Sequence, residues 1–113
     1  MMDFEKTTVN FDEKTGTLTI SGISMMEDAL DFYAETKNKI DTYFSNHSNP
    51  LTIEFELTYF NSSSAKQFIQ ILSRLENNKG TVVWKHPKDH VIMHDRGKEL
   101  EILLDVPFKF IAI

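Results

Sequence analysis

No cysteine occurs among the 113 residues of this chain. Disulfides, thiolate metal sites and a cysteine nucleophile are thereby excluded together, and nothing marks an oxidising compartment. Glycine is nearly as scarce: Gly16, Gly22, Gly80 and Gly97 stand singly, so no glycine-rich loop exists to cradle the phosphates of a nucleotide. Also missing is any apolar run near the roughly 18 residues of a membrane-spanning helix. The N-terminal Met1-Met2-Asp3-Phe4-Glu5 lacks the basic region and apolar stretch of a secretory leader. Basic residues are outnumbered 12 to 17 by acidic ones, a formal net charge of -5, and they form no dense patch. Neither nucleic acid nor an anionic membrane is then an expected partner, because phosphate neutralisation by basic side chains supplies most of such affinity. The expectation is a soluble cytoplasmic protein, without a cofactor, whose partners are other proteins.

Apolar residues make up 41% of the chain, enough for one hydrophobic core, and the length suits a single domain over residues 1–113. Residues 7–23 read as a hairpin: Val9 and Phe11 alternate before the acidic, glycine-containing Asp12-Glu13-Lys14-Thr15-Gly16, and Leu18 and Ile20 alternate after it. From Met26 to Phe44, the residues Met26, Leu30, Tyr33, Ile40 and Phe44 form a helical stripe with a gap near Lys37. Ser24 and Glu27 have capping-box spacing at its start. After the Ser, Asn and Pro of residues 45–50, Leu51, Ile53, Phe55 and Leu57 alternate with polar residues as a strand with one polar face. Ala65, Phe68, Ile69, Leu72 and Leu75 then mark a second helix, which ends near Gly80. Thr81 to Trp84 suit a buried strand, Ile92 to Asp105 a third helix weakened by Gly97, and Pro107 opens a last strand, Phe108 to Ile113. Strands joined through helices tend to run parallel. The predicted fold is α/β, with an N-terminal β-hairpin joined to a mixed, partly parallel sheet of about five strands and three helices.

The most informative stretch is Tyr59-Phe60-Asn61-Ser62-Ser63-Ser64-Ala65-Lys66-Gln67, where a strand passes through three adjacent hydroxyls into a helix. Ser64 and Gln67 have capping-box spacing, which makes Ser64 the expected N-cap and leaves Ser62 just outside the helix. Helix starts expose unpaired N–H groups and partial positive charge, so a phosphate is tolerated there. Local pattern alone equally allows serines that only cap the helix and turn the chain.

The stretch Leu51 to Glu76, with this junction, resembles the core signature of the SiaC family of bacterial regulatory phosphoproteins. Gly22-Ile23-Ser24 with Glu27-Asp28-Ala29 and Phe32-Tyr33 resembles that family's first-helix start, and Asp105-Val106-Pro107-Phe108 its closing strand. The resemblance implies a STAS-like fold and a hydroxyl directly after the junction Asn that a dedicated serine/threonine kinase phosphorylates. Matched residue by residue, that position is Ser62, with Ser63 and Ser64 as alternative acceptors. It further implies a metal-dependent phosphatase that reverses the modification, and a diguanylate cyclase bound by the unmodified form, tying the switch to cyclic-di-GMP and biofilm behaviour. Met25-Met26-Glu27-Asp28 replaces the family's more usual aromatic-Pro-Glu-Asn run, and Ser62 replaces threonine while keeping the hydroxyl.

The expected partner surface comprises Asn61, Ser62, Met25, Met26 and Phe32. Methionine and aromatics at a helix start make adaptable contacts, and Phe32 lies off the apolar stripe. The competing feature is His86, His90 and His94, at four-residue steps beside Asp89 and Asp95, which could ligate zinc if they shared a helix face. Pro87 opposes one continuous helix there, and no metal site is expected. Glu54 and Glu56 share a polar strand face, read as solvated. No catalytic residue is assigned. The alternatives to a phosphorylation switch are a small zinc-binding protein and a constitutive scaffold.

Overall fold

Alternation of apolar and polar residues makes the strands of this protein two-faced, and the helices cover only one of the faces. The structure, a computed structural model, describes residues 6–113. In chain order the elements are β1 (Thr8–Asp12), β2 (Thr17–Ser24), α1 (Ala29–Phe32), α2 (Ala34–Asn46), β3 (Leu51–Phe60), α3 (Ser62–Ser73), β4 (Gly80–His86), α4 (Val91–Leu103) and β5 (Phe108–Ala112). The five strands form one sheet in sequence order; β1 and β2 are antiparallel, and the remaining pairs are parallel. The predicted hairpin, mixed sheet and three helical regions are therefore present. Among the described residues no helix is long and apolar enough to cross a membrane.

The hairpin turn is held by the Asp12 carboxylate, which accepts from the N–H groups of Lys14 and Thr15 at 3.1 and 3.3 Å. Gly16 follows at φ 66°, a left-handed conformation that glycine adopts without cost. On the covered face, Leu18 and Ile20 of β2, Ile53, Phe55 and Leu57 of β3, and Val82 and Trp84 of β4 meet Ile40 and Tyr43 of α2, Phe68, Ile71 and Leu72 of α3, and Met93 and Leu100 of α4. Each such side chain contributes about 1.5–3 kcal/mol on full burial. Phe68 is the hub: its ring lies edge-on to Tyr33, Phe55 and Phe60, with centroids 5.1 to 5.4 Å away. Parallel sheets are usually covered on both faces. This one keeps Glu54, Glu56 and Lys85 on its open side, where Lys85 pairs with Glu54 and, at 4.0 Å, with Glu56.

Four local expectations are corrected. The first helical region begins at Ala29, not Met26, and is divided at Tyr33; Asp28, not Ser24, caps it by accepting from the Asp31 N–H at 3.0 Å. Ser24 ends β2 and is buried, so no Ser24–Glu27 capping box forms. The division shifts the helical phase and turns Leu30 out to solvent, although its spacing had placed it on the apolar stripe. The gap in that stripe is filled by Lys37 itself, 7% exposed, whose ammonium donates to Gln67 Oε1 at 2.6 Å and Gln70 Oε1 at 2.9 Å. Gln67 is thereby occupied by α2 and takes no part in capping α3.

Candidate functional site

The parallel strands β2, β3 and β4 all end on one edge of the sheet, and the segments that follow them gather there. Strand β2 delivers Ser24, Met25 and Met26; β3 delivers Tyr59 to Ser64; β4 leads into the start of α4. In α/β sheets the carboxyl edge is where functional groups collect, because the loops there are positioned by rigid strands and their own backbone is free of the sheet.

At the centre of the edge, Asn61 is extended (φ -91°, ψ 176°) and caps α3, its side chain accepting from the Ser64 N–H at 2.9 Å. Ser64 is therefore not the cap; it lies inside the first turn, and Ser62 is the first helical residue and not a residue outside the helix. Asn and Ser both cap well, and the choice fell to Asn61 because the core claims Ser64. The Ser64 side chain is fully buried, donating to the Ser24 carbonyl at 3.0 Å and accepting from Ser24 Oγ at 2.7 Å. Ser24 Oγ also meets the Tyr33 hydroxyl at 2.6 Å. Burial raises the Tyr33 phenol above its ordinary pKa, against a smaller opposing effect of the Ser24 hydrogen bond. The Ser24 carbonyl accepts from the Asn61 N–H as well, at 3.0 Å. The end of β2, the break before α2 and the start of α3 are thus joined by one hydroxyl chain, with Met26 Sδ 3.7 Å from both serine hydroxyls.

Above this chain Ser62 and Ser63 are exposed. Of the other residues expected on the surface, Met25 is 58% and Phe32 42% exposed, Asn61 is half-buried, and Met26 packs against the core. Leu30, Tyr59, Val91 and Ile92 are exposed as well, and none of them was expected on this surface. Tyr59 follows the even-spaced run Leu51 to Leu57, so simple alternation points it inward. Opposite Gly22 and Ile23 of β2, however, β3 pairs through Leu57 and then Tyr59, leaving Thr58 as an extra residue. That bulge flips the parity, so Tyr59 faces out and Phe60 is buried. Arg96, also unread, crosses from α4: its guanidinium lies 4.0 Å from the centroid of the Phe60 ring and donates to the Phe60 carbonyl at 2.8 Å.

The histidines divide. His86 and His94 are neighbours, ring centroids 5.0 Å apart, and His94 packs on Phe110 and lies 3.2 Å from Asp95 Oδ1. His90 is exposed just before α4. Among the described residues no three His, Asp or Glu side chains converge as metal ligands, which removes the geometry the zinc reading needs.

The backbone places the chain beside several solved structures. A chain in the crystal structure of the diguanylate cyclase SiaD in complex with its activator SiaC, from Pseudomonas aeruginosa, superposes with a TM-score of 0.91 at 20% identity over 99% of this chain and 96% of that one. SiaC of Pseudomonas aeruginosa gives 0.88 at 19% identity over 100% and 95%, and apo-SiaC from that organism gives 0.85 at 18% over 98% and 94%. At such identities the likeness shows a shared fold. No curated protein shows significant sequence similarity to this chain. The family model of the SiaC family regulatory phosphoproteins matches residues 3–113, and with its junction, sheet and helix order in agreement, the chain belongs to that family.

Proposed function

We propose that this protein is a non-catalytic, cytoplasmic protein-binding switch whose unmodified form docks on a diguanylate cyclase and is released when a serine/threonine kinase phosphorylates Ser62. A metal-dependent phosphatase restores the docking form. The observation that carries the reading is the division of labour among the three serines: the Asn61 cap and the Ser24 bonds bury Ser64 and leave Ser62, with Ser63, exposed on the first turn of α3, and of these two Ser62 is the one directly after the junction Asn. Supporting it are the membership of a regulatory phosphoprotein family and a structural relative found in complex with a diguanylate cyclase. The docking surface in this reading is Asn61, Ser62, Met25, Met26 and Phe32, widened by Leu30 and Tyr59.

Phosphate on Ser62 adds about 1.5–2 negative charges at neutral pH. They arrive at a helix start, whose free N–H groups tolerate them, and among exposed apolar side chains that a partner covers only after desolvating them. A charge buried there without a counter-ion opposes docking.

Incubation with ATP and the cognate kinase, followed by phosphopeptide mapping, is expected to place the phosphate on Ser62; reproducible modification elsewhere with Ser62 untouched overturns the assignment. In calorimetric titrations with the diguanylate cyclase, Ser62→Ala keeps its affinity under phosphorylating conditions and the wild type loses it. Equal binding by Ser62→Asp and the unmodified protein would make the chain a constitutive scaffold.

A further inference from the structure

The geometry points to Arg96 as the residue that reads a phosphate on Ser62, holding it with the guanidinium that is fixed against Phe60; the inference rests on Ser62 being the modified residue. Lys39, Arg74, Lys85 and Lys98 each have a carboxylate partner. Arg96, half-buried, has none among the described residues. A guanidinium carries five N–H donors, and its one hydrogen bond among the described residues is to the Phe60 carbonyl.

This is a partly desolvated cation, aligned by stacking and by a backbone acceptor, with no carboxylate paired to it among the described residues. Such a group is an incomplete ion pair, and a planar fork of donors suits the oxygens of a phosphate. Its location supplies the partner: Phe60 lies two residues before Ser62, a backbone span of at most about 7 Å. Lys66, one helical turn beyond Ser62 and exposed, is the rival cation, but it is a point charge on a flexible stem with nothing to orient it.

The test uses full-length protein with phosphoserine genetically encoded at position 62, so that no kinase is required. Phosphorus NMR follows the second ionisation of the phosphate as the pH is varied. The midpoint in wild type is expected below that of Arg96→Gln, with Arg96→Lys between them and Lys66→Gln close to wild type. Coinciding midpoints for wild type and a folded Arg96→Gln overturn the inference, as does a shift that follows Lys66 and ignores Arg96. Should Arg96→Gln fail to fold, the wild-type protein decides alone: the Arg96 Nε–H resonance moves with the phosphate titration, and a resonance indifferent to it overturns the proposal. Failure here leaves the phosphopeptide map unaffected, so the loss of Arg96 as reader and the loss of Ser62 as acceptor are separate results.

Discussion

The hydroxyls of Ser24 and Ser64 lie 2.7 Å apart, although forty residues separate them in the chain, and Ser64 returns a second bond to the Ser24 carbonyl at 3.0 Å. Both side chains are shut off from solvent. The pair ties the end of β2 to the first turn of α3, and so holds the segment carrying Met25 beside the turn carrying Ser62.

Ser64→Ala removes two hydrogen bonds from the buried hydroxyl chain, to the Ser24 hydroxyl and to the Ser24 carbonyl, and leaves Tyr33 as the one hydroxyl partner of Ser24, a loss of about 1–3 kcal/mol. Ser62→Ala touches an exposed hydroxyl and should stay within about 0.5 kcal/mol of wild type. Urea denaturation of the two variants compares them directly, and equal stabilities would show that the hydroxyl chain contributes nothing.

Asn61 is predicted to be the cap that the stability of α3 depends on. Asn61→Ala should lower stability by about 0.5–2 kcal/mol, whereas Asn61→Ser, which keeps an acceptor for the Ser64 N–H, should lose little. If alanine and serine variants unfold at the same urea concentration, the cap geometry is energetically idle.

Lys37 is buried against Gln67 and Gln70, with no carboxylate paired to it among the described residues. Lys37→Met removes the donor from the buried Gln67 carbonyl and should cost about 1–3 kcal/mol. The double variant Lys37→Met with Gln67→Leu removes both ends of the contact and should recover part of that loss, since matched apolar groups replace a polar pair with little penalty. Simple additivity of the two single costs would contradict a direct contact.

Gly97 looks like a helix-weakening residue, and replacing it with alanine would favour an isolated helix by about 1 kcal/mol. In the folded protein a Cβ there would come within 2.5 Å of Trp84 Nε1 and 2.7 Å of the neighbouring ring carbons, and it would disturb the indole N–H bond to the Met93 carbonyl at 2.9 Å. Overpacking of this kind costs about 1–3 kcal/mol, so Gly97→Ala should be net destabilising. Trp84 is the single tryptophan, and its fluorescence reports the change; a more stable variant with an unaltered spectrum would refute the contact.

Alkaline pH should weaken the fold. Burial raises the Tyr33 phenol, and the Glu54 hydrogen bond and charge raise the Lys85 ammonium. In both cases the folded chain holds a proton that the unfolded chain releases first. The folded state then binds more protons, and stability falls as pH climbs above about 10. The Lys85 share is fully present below the ordinary lysine pKa and is lost through the raised one; as a solvent-screened pair it is the smaller. Tyr33→Phe lowers stability at neutral pH by losing the Ser24 bond, yet it flattens the alkaline decline. An unchanged slope in Tyr33→Phe, measured by urea denaturation from pH 8 to pH 11, would assign the decline elsewhere.

Periodicity carried the fold because it is a local property. Leu51, Ile53, Phe55 and Leu57 announce a half-buried strand whatever lies beside them, and the strand and helix order that follows leaves few topologies. The junction from Tyr59 to Gln67 was visible in the same way, as a strand handing over to a helix through polar residues. Its resemblance to a family junction singled out Ser62 among three like side chains.

What remained for the tertiary structure were the choices between residues of equal local fitness. Asn61 and Ser64 can both cap a helix, and Ser64 is withdrawn from that role by Ser24, forty residues away. Tyr59 and Phe60 can both face the core, and the unpaired Thr58 opposite Gly22 and Ile23 decides for Phe60. Arg96 has no sequence signature at all, because its significance comes from a carbonyl and a ring on another element. The sequence by itself determined the order of elements, the two-faced sheet and the place where a switch hydroxyl can stand. Only the fold, by bringing distant groups within hydrogen-bond reach, decided that Ser64 is buried while Ser62 and Ser63 stay exposed, and set Arg96 against Phe60, two residues before Ser62.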